Sequence, residues 1–275
     1  MKTKNTKILW LTVISIFVTA IIMSTFSACT TTPNEPEVET GPKYVAHRGY
    51  SQYYVDNTEE SFLAAASTGF YGIETDIRKT QDGYYVCSHD DTVYYADNSS
   101  LKIADADLSE LTATPLKNTK TNTDAYLCTF ETYLRACKAG GKVAVIELKD
   151  YFSKNEYLNI LKIVDKEYTR EKITFISFSY ATLKEAIKAD PSIPTQYLSQ
   201  TPNDTRFADC LRYNMSIDIK LSSNPEQNVV TEELVQTFHQ AGLTVNVWTV
   251  DTEEDLQSAR EYGVDYITTN VFHNS

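Results

Sequence analysis

A small set of side chains in this chain combines types and spacings suited to chemistry on an anion. Glu74 and Asp76 stand two apart in the apolar run GIETDI, 72–77. Residues two apart in a strand share a face, so both carboxylates point one way while Ile73, Thr75 and Ile77 point the other. Neighbouring acids repel and need a cation or strong donors. Oxygen ligands of this kind suit Ca²⁺ or Mg²⁺ better than Zn²⁺; ion pairs with Arg or Lys would also satisfy them. Glu147 and Lys149 repeat the spacing at the end of the apolar run KVAVIEL, 142–148. Glu147 could complete a three-carboxylate set and Lys149 could steady an anionic substrate; alternatively the two pair with each other. His47 ends the run YVAH, and Arg48 follows it before Gly49, which permits a tight exit turn. His89 ends a return strand, 84–89, that follows the turn signal Asp82-Gly83. The remaining histidines, His239 and His273, are read as solvent-facing.

The elements that must position these groups alternate short apolar runs with helical stretches. Candidate strands are 44–47, 72–77, 142–148, 173–178, 195–199, 215–221, 244–250 and 265–269. NTEESFLAAASTG carries a cap at Asn57 or Thr58, acids in its first turn and Gly69 as a stop signal. TEELVQTFHQAG, with Thr231 and Gly242, and DTEEDLQSAREYG repeat that design. Eight strands with intervening helices predict an α/β fold, a (β/α)8 TIM barrel. A doubly wound open sheet is the fallback, weakened because no glycine-rich phosphate loop follows the first strand. After the second strand, residues 90–128 lack periodicity and are rich in Thr, Asn and Asp, which predicts a small cap insertion over one end of the barrel.

The chain has 275 residues, 42% of them apolar, enough for a sizeable core. Its formal net charge of −12 argues against a nucleic-acid surface. Lys2, Lys4 and Lys7 precede an apolar stretch from Ile8 to about Met23, then STFSAC ending at Cys29. That layout predicts a signal peptide over 1–28. FSAC resembles a bacterial lipoprotein box, with Cys29 the lipidated residue; an uncleaved anchor is the competing expectation. Residues 29–42 read as a flexible tether, and 43–275 as the barrel. The expected location is therefore the cell envelope, membrane-anchored and outside the cytoplasm. Cys87, Cys128, Cys137 and Cys210 match neither a zinc nor a redox spacing and are expected to be buried thiols or to form at most one bridge.

In order along the chain, HRG, DNTEESF, GIETDIRKTQDG, SHD, IELK, VWTV and DYITTN resemble the glycerophosphodiester phosphodiesterase family. The resemblance covers nearly all of 43–272. It implies a barrel that hydrolyses glycerophosphodiesters to glycerol 3-phosphate and an alcohol with a divalent cation. It also implies catalytic histidines at His47 and His89, metal carboxylates at Glu74, Asp76 and Glu147, phosphate-binding groups at Arg48 and Lys149, and a pocket tryptophan at Trp248. Core packing is the plainer expectation for Trp248. Departures from the family pattern fall at Val55-Asp56, at Tyr95 and at Asn270, and none is expected to touch the catalytic set. The tyrosines at 50, 53, 54, 84, 85, 94 and 95 lie in or near the expected mouth loops, where they either face a headgroup or pack under the cap.

Phosphodiester hydrolysis needs neutralised non-bridging oxygens and an acid for the leaving alcohol. One histidine would deprotonate the nucleophile, either water or the neighbouring glycerol hydroxyl, and the other would protonate the leaving oxygen. Sequence alone does not divide those roles between His47 and His89. A phospholipase-type phosphodiesterase acting on intact lipid is the first alternative, and a non-catalytic binding protein on a barrel scaffold is the second.

Overall fold

The structure, a computed structural model, describes residues 41–201, 206–222 and 228–272. The apolar segment, Cys29, the tether up to residue 40, and His273 lie outside the described residues. In chain order the strands are β1 (Lys43–Ala46), β2 (Gly72–Lys79), β3 (Tyr85–Cys87), β4 (Thr92–Tyr94), β5 (Ser100–Lys102) and β6 (Cys128–Thr129). They continue as β7 (Val143–Leu148), β8 (Ile173–Ser177), β9 (Thr195–Ser199), β10 (Ser216–Lys220), β11 (Val245–Trp248) and β12 (Tyr266–Thr269). The helices are α1 (Glu59–Ala66), α2 (Leu108–Leu111), α3 (Phe130–Gly140) and α4 (Lys154–Glu167). After them come α5 (Tyr180–Ala189), α6 (Phe207–Arg212), α7 (Glu232–Gln240) and α8 (Glu253–Tyr262).

Strands β1, β2 and β7 to β12 are parallel neighbours, and pairing of β1 with both β12 and β2 closes them into an eight-stranded barrel. Each of the eight expected strands is present, with ends shifted by a residue or two. Strand alternation divides the core. Ile73, Ile77, Ile146, Ile217 and Val245 pack outward against helix residues such as Phe62, Leu134, Leu161 and Phe238. Val45, Val145, Ile176 and Leu198 fill the lumen. Helix starts are set locally: Thr58, Thr129, Ser153, Ser179, Thr231 and Thr252 each accept a hydrogen bond from a backbone N–H three residues on, worth about 1 kcal/mol apiece. Among the described residues no helix is long and apolar enough to cross a membrane.

One local alternative is decided and one expectation changes. Thr58, not Asn57, caps α1, and Asn57 is freed for another use described below. Gly69 does not stop that helix, which ends at Ala66 with Ser67 as its cap. Gly69 is small because a Cβ there would lie 2.5 Å from the Phe272 ring.

The segment after β2 is more ordered than its lack of periodicity predicts. Strand β3 pairs antiparallel with the top of β2, β4 and β5 form a hairpin, and β6 returns antiparallel to β3. Its elements are two to four residues long, too short for a periodic pattern to register. They close on their own apolar cluster, which includes Val86, Val93, Tyr95, Ile103, Leu111 and Leu127. Tyr95 is therefore core in this insertion and not a rim residue: it is 1% exposed and its hydroxyl donates to the Leu111 carbonyl at 3.0 Å. Lys120 Nζ lies 2.6 Å from both the Asp56 carboxylate and the Ser51 carbonyl, tying the insertion to the loop after β1.

Candidate active site

The C-terminal ends of β1, β2 and β7 bring the expected groups to one mouth. Asp76 and Glu147 are register partners on adjacent strands, and Glu74 lies one step deeper on β2. All three are buried, and one carboxylate oxygen from each lies within 4.8 Å of the others. Lys149 Nζ sits 3.0 Å from Glu147 Oε1 and 3.5 Å from Asp76 Oδ1, and Arg48 Nε sits 3.4 Å from Asp76 Oδ2. The Arg48 backbone N–H donates to Glu74 Oε2 at 2.8 Å. Asn57 donates from Nδ2 to Asp76 Oδ2 at 2.8 Å and accepts from Thr75 Oγ1 at 2.7 Å. The ion-pair reading of the acids is thus realised, but two cations face three carboxylates.

That imbalance shows in the acidities. Burial first, then Asp76, pushes the Glu74 carboxyl well above the usual range. The same causes push Glu147 up to about 7. Burial pushes Asp76 up too, but Arg48, Lys149 and the Asn57 amide outweigh it and hold that carboxyl below its ordinary value. Asp76 Oδ1 is buried without a hydrogen-bond donor. Three buried oxygen ligands, short of positive charge and with one oxygen that accepts no hydrogen bond, fit a hard divalent cation.

The loop after β1 is shaped for this. Arg48 has φ +56°, Gly49 φ +83° and Asn57 φ +59°, a left-handed region that L residues adopt at a cost and that clusters at functional sites. A Cβ on Gly49 would lie 2.4 Å from Ser61 Oγ, so only glycine lets the loop close over α1.

The two histidines sit in unlike settings. His47 is half-buried, and its Nδ1 lies 2.9 Å from Asn270 Oδ1. Asn270 is itself fixed: its Nδ2 donates to Asp251 Oδ2 at 2.6 Å and its backbone N–H to Asp251 Oδ1 at 2.8 Å. That assigns Oδ1 as the acceptor facing His47, with Ser51 Oγ donating to the same oxygen at 2.7 Å. His47 therefore carries its proton on Nδ1 and leaves Nε2 bare. Burial first, then Arg48, lowers its pKa below 6.5. His89 lies past β3 on the insertion, is 44% exposed, and places Nδ1 2.7 Å from Asp90 Oδ1. Arg78 holds the His89 carbonyl through Nε and Nη2.

His47, Arg48, Glu74, His89, Glu147 and Trp248 all line one cavity of about 320 Å³. Trp248 is half-buried in its opposite wall, edge-on to Phe178 at 5.7 Å between ring centroids. Asp218 also lines this cavity; it is fully buried, and burial pushes its carboxyl up to about 8. Sequence reasoning does not single it out, although the signal that marks Glu74, an acid interrupting an apolar strand, is equally present in MSIDIKL. Of the tyrosines, Tyr94 shares a surface pocket with His89 and Lys149, whereas Tyr85 is core and Tyr53 and Tyr84 face solvent. His239 is solvent-facing and pairs with Asp265.

Two departures from the family pattern touch this machinery, contrary to expectation. Asn270 holds His47, and Asp56 lies 3.6 Å from Arg48 Nη1. Asn270 is 223 residues from His47 in sequence, so only barrel closure reveals the contact.

The sequence model of the Glycerophosphoryl diester phosphodiesterase family matches residues 47–273. A glycerophosphodiester phosphodiesterase of Caldanaerobacter subterraneus subsp. tengcongensis is 27% identical over 244 residues, 82% of this chain and 93% of that one. Two solved structures share the fold. A putative glycerophosphoryl diester phosphodiesterase from Silicibacter pomeroyi has a TM-score of 0.74 at 22% identity, covering 84% of this chain and 91% of that one. An Oleispira antarctica phosphodiesterase in complex with sn-glycerol-3-phosphate has a TM-score of 0.73 at 20% identity, covering 84% and 93%. The family match spans most of the chain and the fold is the same: the protein belongs to the glycerophosphoryl diester phosphodiesterase family of enzymes.

Proposed function

We propose that this chain hydrolyses glycerophosphodiesters to glycerol 3-phosphate and an alcohol, with Glu74, Asp76 and Glu147 holding one divalent cation, Ca²⁺ or Mg²⁺. The observation that carries the reading is a cluster of three buried carboxylates, each within 4.8 Å of the others through one oxygen, two of which, Glu74 and Glu147, line a cavity together with both histidines. When bound, such a cation supplies charge neutralisation for a phosphate oxygen and a site for a hydroxyl oxygen.

The side chains divide the remaining work. Arg48 presents a planar fork to the phosphate and Lys149 a point charge. His47 is the general base: Asn270 keeps the proton on Nδ1, so Nε2 can accept the proton of the nucleophilic hydroxyl. Burial and Arg48 keep it neutral at pH 7. His89 takes the complementary step and protonates the leaving alcohol. Asp251 and Ser51 fix Asn270 and so act on the reaction through His47. The product named in the Oleispira antarctica complex agrees with the substrate class. Glycerophosphocholine, lysophospholipid and phospholipid assayed side by side test the reading. Turnover of the first with release of glycerol 3-phosphate supports it; turnover of intact phospholipid alone overturns it.

The membrane placement rests on the N-terminal sequence. The chain is exported, and lipid on Cys29 tethers the barrel to the cell envelope; one acyl chain gives only marginal binding, so two or more are expected. Mass spectrometry of the mature N-terminus tests this. A lipidated Cys29 supports it, and an unmodified chain beginning at Met1 contradicts it.

A further inference from the structure

Cys87 ends β3, Cys128 begins β6, and the two are partners in the antiparallel register. Directly opposed residues of an antiparallel pair have Cα atoms about 4.5–5.5 Å apart and side chains on one face. A disulfide needs Cα atoms about 4.4–6.8 Å apart. Both side chains are buried, at 0% and 4% exposure. The two thiols also act on each other: the Cys87 thiol is the largest cause, ahead of burial, of the upward shift at Cys128. Cys137, on α3, lies near Cys87 but is not opposed to it across a ladder, and Cys210 belongs to α6 on the other side of the barrel.

We propose that Cys87 and Cys128 are a redox site that closes into a disulfide. The bridge would staple the base of the insertion, closing the loop 88–127. In the step, the two thiols react with a small-molecule disulfide such as oxidised glutathione. The partner's S–S bond breaks, the protein's S–S bond forms, and the partner leaves as two thiols carrying both protons and both electrons. Access comes from position. β6 is two residues long and is the terminal strand of its sheet, so the pair opens by local fraying while the barrel stays closed.

The bridge bears on the site without touching it. Cys87 precedes Ser88, whose backbone N–H donates to the Asp76 carbonyl at 2.8 Å, and His89 follows. Cys128 precedes Thr129, the cap of α3. Oxidation would therefore fix the strand that delivers His89 against the helix start behind it. The inference does not depend on the proposed hydrolysis, because its primary readout is covalent.

The test uses the full folded chain, equilibrated in an oxidised and reduced glutathione buffer. Remaining thiols are alkylated, and the chain is digested without reductant and mapped by mass spectrometry. The expected result is one linked peptide pair joining Cys87 to Cys128, with Cys137 and Cys210 alkylated. Thermal midpoint should fall by about 5–10 °C on reduction, from a loop of this length in a domain of this size. Cys137→Ala should leave the linked pair in place, whereas Cys87→Ala or Cys128→Ala should remove it; if one of these does not fold, the other serves. A linked peptide containing Cys137 or Cys210, or Cys87 and Cys128 both alkylated after oxidation, overturns the proposal.

Discussion

The barrel has two mouths of unlike make-up. At the C-terminal ends of its strands lies a cavity of about 320 Å³ with carboxylates, Arg48 and both expected histidines. At the N-terminal ends lies a larger one, about 490 Å³, lined by Val143, Thr174, Gln196, Ser216, Asn246 and Tyr266 among others. The larger cavity is the worse candidate. It has buried amide oxygens on Gln196 and Asn246 without partners, but no cluster of acids and no histidine among the described residues. The smaller one stacks groups that shift one another's acidity, which marks a functional site far better than volume does. In a barrel of this kind, strand ends at the N-terminal face serve stability and those at the C-terminal face serve chemistry.

Substitutions sharpen that contrast. The largest effect is expected from Asp76→Asn or Glu74→Gln, which should cut kcat on the order of 10³-fold, about 4 kcal/mol of transition-state stabilisation. Circular dichroism should show the fold intact, since each change removes a charge from a crowded, buried set. His47→Ala and His89→Ala should follow, each losing about 10²–10⁴-fold in kcat; a variant of either with wild-type turnover would take that residue out of the mechanism.

Asn270→Ala should come next. Loss of the hydrogen bond that fixes the His47 tautomer predicts about a tenfold drop in kcat with KM little changed. A rise in KM at constant kcat would instead make Asn270 a substrate contact. The pH dependence follows from the same shell. Burial and Arg48 disfavour the imidazolium, so the folded pKa of His47 lies below 6.5. The base stays neutral as pH falls past 6.5, and the acid limb of kcat/KM should lie below that value. Measured at saturating cation, which holds Glu74 and Glu147 ionised, an acid limb above pH 7 would contradict the assignment of His47 as base. The smallest effect belongs to the other mouth: Asn246→Ala should leave kcat/KM within about twofold while lowering the thermal midpoint. A large loss of activity there would dissolve the contrast between the two mouths.

Much of this is legible in the chain because carboxylates interrupt apolar strands at fixed spacing. Glu74, Asp76 and Glu147 announce themselves by their cost, and the strand period alone puts the first two on one face. Asp218 carries the same signal but stands in a strand with no histidine or second acid beside it, so its sequence neighbours do not mark it as part of the site. Asn270 is illegible for a different reason. Its role depends on β12 lying beside β1, a neighbour relation created by barrel closure between the two ends of the domain. The insertion hides because its elements are shorter than the windows in which periodicity can register. Pairing of Cys87 with Cys128 needs the β3–β6 register, which no spacing rule supplies.

The central claim is that the three carboxylates hold one cation that hydrolysis requires. Calorimetric titration of chelator-treated protein with Ca²⁺ and with Mg²⁺, paired with hydrolysis of glycerophosphocholine at each point, tests it directly. The wild-type chain should bind one ion and regain turnover in proportion to its occupancy, while Asp76→Asn should neither bind the ion nor recover. Full turnover after exhaustive chelation, or an Asp76→Asn protein that binds the ion as tightly as the wild type, would contradict the account.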